Sequence, residues 1–264
     1  MEIVFKGGQF NEFTELNFKI ESEYITGITG SGKTEILKLI DCIDYPKGSI
    51  YYDDVKLTKK NVNSIRRQVS LVEQEFKTQI FLKTVREHML FIMKYYRLKI
   101  NFPEKKMTDS LKIVGLESEY LDKEIDSLSA SEKKLIQIAV SLLTNPDIIL
   151  LDEPFINLDK KNEKLILILI NKLKENYKKT IVIASHDSDM LYKYTKKMIF
   201  IKNNKVFLTG DTKEVYKRVD YLTKNKFEIP DIVRFTYKVI KEKNVNIDYH
   251  RDIRDLIKDI YKHV

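Results

Sequence analysis

Gly27-Ile28-Thr29-Gly30-Ser31-Gly32-Lys33-Thr34 is the stretch on which the reading of this chain turns. It gathers three of the chain's 8 glycines and ends in a lysine and a hydroxyl. Glu23–Ile28 alternates as a strand before it, and Ile36, Leu37, Ile40 and Ile43 follow at helical spacing until Pro46 and Gly48. The loop therefore joins a strand to a helix. In that setting the pattern G-x-x-x-x-G-K-[ST] wraps phosphates: glycines let backbone N–H groups turn inward, and the helix adds its positive N-terminal dipole. Lys33 is placed to reach the β and γ phosphates, and the Thr34 hydroxyl to ligate Mg²⁺. Gly27, Thr29, Gly30, Ser31, Gly32, Lys33 and Thr34 are the candidate nucleotide-phosphate contacts. The bland alternative is a glycine turn with an incidental lysine, and the strand–helix context argues against it.

Working outward, Asp147-Ile148-Ile149-Leu150-Leu151-Asp152-Glu153-Pro154 reads as a buried strand ending in two acids. Alone, such a pair is usually a helix cap or a turn. Beside a phosphate loop it acquires chemistry, because parallel strands bring their carboxyl ends to one sheet edge. Asp152 would then hold Mg²⁺, and Glu153 would polarise the attacking water.

Further strands are read at Glu2–Lys6, Glu15–Ile20, Ser49–Val55, Val69–Glu73 and Thr180–Ala184, with a hairpin of Met198–Lys202 and Lys205–Leu208 across Asn203-Asn204. Thr84 to Leu143 is helical, interrupted near Pro103 and Asp126, and a further helix spans Lys160–Asn176. This alternation marks an α/β sheet with crossovers. No glycine follows Gly210, and a boundary is placed near residue 217. Residues 1–217 form the main domain, about 75–145 its helical subdomain, and 218–264 a helical extension.

With 43% hydrophobic and 33% charged residues, the chain has the composition of a globular protein; collagen-like, mucin-like and wholly disordered readings are excluded. Its single cysteine, Cys42, has no internal disulfide partner. No run approaches the roughly 18 apolar residues of a membrane helix; the longest is Leu165–Ile170. The N-terminus turns polar too early for a signal peptide. A soluble cytosolic chain is expected, reaching a membrane only through a partner. The net charge of +8 admits nucleic acid, anionic lipid or phosphate ligands. The lysines fall in scattered pairs such as Lys59-Lys60 and Lys133-Lys134, so a solvated surface and no nucleic-acid partner are expected.

Between and after the two motifs stand Gln74 at the end of the Val69–Glu73 strand, Leu128-Ser129-Ala130-Ser131-Glu132 before a helix, Asn157-Leu158-Asp159, and His186 after Ile181–Ala184. In that order, residues 1 to 217 resemble an ATP-binding-cassette (ABC) ATPase. Gln74-Glu75-Phe76-Lys77-Thr78-Gln79-Ile80-Phe81, Thr84-Val85-Arg86-Glu87 and Phe91 resemble the glutamine-loop region of energy-coupling-factor (ECF) importer ATPases. Gly210-Asp211-Thr212, Glu214-Val215-Tyr216 and Ile229-Pro230 resemble that group's C-terminal extension. The resemblance implies an α/β P-loop NTPase fold of the ABC type, with a helical subdomain and a small C-terminal helical extension. It implies an ATPase using ATP and Mg²⁺ at the cytoplasmic face of the membrane. Its partners would be a second ABC ATPase subunit, a transmembrane scaffold and a substrate-binding membrane subunit, serving uptake of a vitamin or metal ion.

By position, the resemblance makes Glu153, His186 and Lys33 catalytic, and Thr34, Gln74 and Asp152 the metal set. Gln74 would also link the γ-phosphate to the surface that docks the membrane partner, and His186 would touch the γ-phosphate and the attacking water. Asp159 would communicate across a dimer interface. Ser129 would bind the γ-phosphate of ATP held by the other subunit. His88, His250 and His263 sit in no motif.

The family signature is usually Leu-Ser-Gly-Gly-Gln, and here Ala130 and Ser131 bring Cβ atoms where the backbone approaches phosphate. Ser129–Glu132 also reads as a capping box, S-x-x-E, a role compatible with phosphate binding. The altered signature fits a heterodimer better than a homodimer. The usual adenine-stacking tyrosine falls on Gly7, leaving Phe10 or Phe13 to reach the base. Other transporter ATPases and soluble ABC ATPases remain the alternatives. The short stretch between Lys33 and Ser129 leaves no room for the long coiled coil of DNA-repair relatives.

Overall fold

The computed structural model describes residues 1–22, 24–43, 47–243 and 245–263. Glu23 and Pro46, the expected strand start and helix stop, lie outside them, as does the His263 side chain. The strands run β1 (Ile3–Phe10), β2 (Phe13–Ile20), β3 (Ile25–Gly30), β4 (Lys47–Tyr52) and β5 (Val55–Lys56). They continue as β6 (Val69–Val72), β7 (Ile148–Asp152), β8 (Thr180–Ala184), β9 (Lys197–Lys202) and β10 (Lys205–Asp211). The helices are α1 (Lys33–Ile40), α2 (Val62–Arg66), α3 (Phe76–Gln79), α4 (Val85–Tyr95), α5 (Pro103–Ile113) and α6 (Ala130–Ser141). After them come α7 (Lys160–Glu175), α8 (Ser188–Tyr194), α9 (Thr212–Tyr216), α10 (Val219–Lys224), α11 (Asp231–Lys243) and α12 (Ile253–His263).

Two sheets form. An antiparallel one has the order β2-β1-β4-β5, and a six-stranded one has the order β10-β9-β3-β8-β7-β6. In the second, all neighbours are parallel except the β9–β10 hairpin at the edge. The alternation within β7 explains why both faces must be covered. Ile148 and Leu150 enter the core shared with α1 and the antiparallel sheet, while Ile149 and Leu151 enter the core shared with α6 and α7. The expected Ser49–Val55 strand is instead a tight hairpin, because Asp53 takes a left-handed φ of 49° between β4 and β5. The β9–β10 turn has Asn203 and Asn204 at φ 49° and 57°, the two left-handed residues a type I′ hairpin requires.

The helical region is held at defined points. Thr84 caps α4 in a reciprocal box with Glu87, and Pro103 opens α5 rather than merely interrupting a helix. Three-ten turns at Ser118–Asp122 and Ile125–Ser127 fill the break expected near Asp126. Burial is continuous across residue 217: Val215 and Tyr216 on one side and Val219, Leu222 and Val233 on the other share one core with Phe200. The Phe200 ring lies 5.5 Å from Tyr216 and 5.0 Å from Phe227.

Candidate nucleotide site at the carboxyl edge of the parallel sheet

The phosphate loop leaves β3 and enters α1 through Gly30 and Gly32, at φ 106° and 87°. A Cβ on Gly30 would stand 1.9 Å from the Ile201 carbonyl oxygen, and one on Gly32 would stand 2.2 Å from Phe13 Cζ. Both positions need glycine for conformation and for space. Gly27 differs: it lies within β3, packed against the side chains of Met198, Leu191 and Thr195. Replacing Gly30 by Ala should cost roughly 3 kcal/mol through backbone overlap and strain; urea unfolding of the full chain measures it.

Lys33, only 7% exposed, extends from the first turn of α1 to the ends of β7 and β8. Its Nζ lies 2.6 Å from His186 Nε2 and 3.3 Å from Glu153 Oε1. Since Lys33 donates, His186 accepts through Nε2 and carries its proton on Nδ1. Glu153 is buried, with φ 44°, a conformation sparsely populated outside glycine. It is fixed on every side. Its N–H donates to Ala184 O at 2.9 Å, and its carboxylate accepts from Ser185 Oγ at 2.7 Å and His186 N at 2.8 Å. Ser185 was not singled out by sequence; its only signal is its place immediately before His186.

Thr34 Oγ1 donates to Asp152 Oδ2 at 2.7 Å, while Asp152 Oδ1 is buried and without a hydrogen-bond partner. Burial raises the Asp152 pKa, opposed by the Thr34 hydrogen bond and the Lys33 charge. An orphaned carboxylate oxygen beside a hydroxyl fits a divalent cation. Among the described residues no group of three or more His, Cys, Asp or Glu could hold a metal, so any such cation must take most of its oxygens from phosphate and water, as Mg²⁺ commonly does.

Gln74 shares a cleft of about 330 Å³ with Glu153, Glu163, Ser185 and His186. Its position is set from α6. Lys134 Nζ and Gln137 Nε2 both donate to the carbonyl of Glu73, the residue before Gln74, at 3.1 and 3.3 Å. Gln137 also donates to Gln79 Oε1, and Gln79 donates to Leu71 O at 2.7 Å. Sequence reading missed this buried network; a lysine on the apolar side of α6 was its one signal. Burial lowers the Lys134 pKa from 10.5 to about 8. The native state therefore disfavours the charged amine, and the resulting penalty, full below pH 8, disappears as pH rises toward 10.5. Wild-type stability should rise between pH 8 and 10 relative to Lys134→Met, measured as the difference between their urea midpoints.

Ser129 stands apart from this cluster. It caps α6, and its hydrogen bonds run to Glu132 and Ser131. Glu132 accepts from Ser129 N at 2.8 Å and from Tyr120 OH at 2.5 Å, and these bonds hold its carboxyl down at about 2. Asp159 caps α7 by accepting from Asn162 N. Phe13 is buried against Gly32, which commits its ring to packing rather than to a base; Phe10 is half-buried. His88 is wholly buried and pushed down to about 4, and His250 lies 2.9 Å from Asp259. Thr29, Gly30 and Ser31 also face a cavity of about 480 Å³ whose far wall includes Lys226 and Glu228 after α10.

Residues 13–156 match the family model for ABC transporters. The energy-coupling factor transporter ATP-binding protein EcfA2 of Clostridium acetobutylicum is 33% identical over 86% of this chain and 80% of its own length. The corresponding EcfA3 protein of Oenococcus oeni is 30% identical over 90% of this chain and 84% of its own. Among solved structures, CbiO1 from Clostridium perfringens, part of the ABC transporter complex CbiONQ, aligns with TM-score 0.73 and 25% identity, covering 89% of this chain and 98% of that one. A dimeric ATP-binding cassette bound to ADP and phosphate aligns with TM-score 0.69 and 28% identity, covering 80% and 99%. No described helix is long and apolar enough to cross a membrane. A phosphate loop, a paired acid and a histidine converging at one sheet edge, in a chain with these relatives, identify a member of the ABC transporter family: an ATP-hydrolysing cassette that resembles the ECF ATPases.

Proposed function

We propose that this chain is one of two ATPase subunits of an ECF-type importer, peripheral on the cytoplasmic face of the membrane. A transmembrane scaffold and a substrate-binding membrane subunit complete the assembly, which takes up a vitamin or a metal ion. The observation that carries the ATPase role is that one sheet edge gathers two contact groups, Lys33 with Glu153 and His186, and Thr34 with the neighbouring Asp152. The transport role rests on the names of the relatives, and the helical extension after residue 217 is assigned to that assembly.

Each residue then has a task. Backbone N–H groups of residues 29–34 cradle the phosphates, and Lys33 exchanges Glu153 and His186 for phosphate oxygens. Asp152 Oδ1, Thr34 Oγ1 and Gln74 would hold Mg²⁺, which would supply positive charge against the developing negative charge on phosphate. Glu153, held by Ser185 and the His186 N–H, takes the proton of the attacking water. His186 turns from Lys33 to orient the γ-phosphate and that water.

The second site of the dimer is completed by this chain's Ser129 segment. There the α6 N-terminus is already engaged by Glu132, which occupies both Ser129 N and Ser129 Oγ. ATP held by this chain is hydrolysed against the partner's signature, and the opposite site is slower. Ala130→Gly with Ser131→Gly should raise the ATPase rate of the assembled complex several-fold; an unchanged rate counts against the asymmetry. The wider reading is tested by tagging the chain, extracting native membranes in mild detergent and identifying what co-purifies stoichiometrically. A multi-span scaffold with a second cassette supports it. Recovery from the soluble fraction, alone or with ribosomes, sinks it.

A further inference from the structure

A second concentration of positive charge lies at the opposite end of the sheet from the phosphate loop. Arg66 ends α2, Arg67 follows it, and both precede β6. Tyr95 ends α4 and is followed by Tyr96 and Arg97. Since β6 runs parallel to β7, and β7 to β8, residues just before β6 stand at the amino edge, whereas Asp152 stands at the carboxyl edge. Asn63, Arg66, Arg67, Tyr95, Tyr96 and Arg97 line a cavity of about 280 Å³ there.

Three arginines line this cavity and, among the described residues, no acidic residue does. Arg66 is half-buried, and its Nε is buried without a hydrogen-bond partner. Arg86, by contrast, is paired with Asp122 and Glu104, and Arg234 with Asp231. Asp41, at the end of α1 and 7% exposed, feels the Arg66 charge, yet burial pushes its carboxyl up to about 8. Like charges gathered in a recess repel one another, and an anion in their midst relieves that repulsion.

We propose that this cavity binds a phosphate group, carried by a lipid headgroup or by a soluble phosphate species. Each guanidinium offers five N–H donors in a fixed fork, and two phenols and the Asn63 amide add more. That supply exceeds what a carboxylate can accept and can serve every non-bridging oxygen of a phosphate, which arginine forks bind in pairs. The cavity is larger than a phosphate alone, so it leaves room for an ester. An exposed aromatic row reaches its mouth: Phe81 to Phe91 at 5.4 Å, Phe91 to Tyr95 at 6.3 Å and Tyr95 to Tyr96 at 5.1 Å. Phe81 and Tyr95 are 59% and 58% exposed, apolar surface suited to the body of an ester whose phosphate is held by the arginines.

The test uses the full chain with its phosphate loop saturated by a non-hydrolysable ATP analogue and Mg²⁺. Inorganic phosphate is titrated by calorimetry, and vesicles of phosphatidylcholine doped with phosphatidic acid are compared in sedimentation with phosphatidylcholine alone. The expected result is one phosphate bound beyond the nucleotide, weakened at least about tenfold in Arg66→Gln with Arg97→Gln and unchanged in Arg86→Gln. Arg67→Gln with Arg97→Gln, both exposed positions, guards against a folding defect at the half-buried Arg66. Retention on phosphatidic acid vesicles that inorganic phosphate competes away assigns the lipid source; phosphate binding without vesicle retention assigns a soluble one. No phosphate outside the nucleotide loop, unchanged binding in both double variants, or acetate binding as tightly as phosphate overturns the proposal.

Discussion

Glu153→Gln should lower ATP turnover by roughly 100- to 10,000-fold, the range associated with loss of a general base, while ATP binding persists. The amide is nearly isosteric, and its oxygen still accepts from the His186 N–H that Glu153 Oε1 accepts from at 2.8 Å. What it loses is basicity toward water and the charge facing Lys33 at 3.3 Å. The effect should therefore appear in the catalytic rate and leave nucleotide affinity equal or tighter, because Lys33 no longer has an anionic competitor to the phosphates. Stopped-flow binding of a fluorescent ATP analogue, beside phosphate release from the assembled complex, separates the two. A parallel fall in affinity and rate would mean that Glu153 shapes the loop rather than activates water.

Lys33→Ala should act on the other quantity. The ammonium is almost fully buried and directs its charge to the point where Glu153 and His186 meet. Charge-assisted hydrogen bonds contribute about 1.5–3 kcal/mol each, and loss of two such bonds to phosphate should weaken ATP binding by about 100-fold or more. Fold stability should change much less, since Glu153 keeps its bonds from Ser185 and the His186 N–H. Equilibrium dialysis with ATP, together with thermal unfolding, measures both. Unchanged ATP affinity would remove Lys33 from the phosphate site.

The sequence carried the strand–loop–helix around residues 27–34 and the Asp152-Glu153 pair because glycine spacing and apolar runs are local signals. Thr180–Ala184 was legible to the residue, being apolar after a β-branched threonine and bounded by lysines and a serine. What escaped was relational. Nothing in the order of residues says that Phe13 closes on Gly32, or that Lys134 and Gln137 hold the carbonyl of Glu73, contacts that span long stretches of chain. The capping box at Ser129 could be read from S-x-x-E, but not that Glu132 would also accept from the Ser129 hydroxyl. The burial of Val219, Leu222 and Val233 in the main core was equally hidden, because a composition shift after Gly210 says nothing about where the helices dock.

The measurement that bears most directly on the central claim is a structure of the Glu153→Gln chain with Mg²⁺ and ATP, alone or assembled. The account predicts the triphosphate over residues 29–34, Lys33 Nζ moved from His186 to phosphate oxygens, and the cation beside Asp152 Oδ1 and Thr34 Oγ1. A triphosphate bound elsewhere, or Lys33 still on His186 with ATP in place, would contradict it.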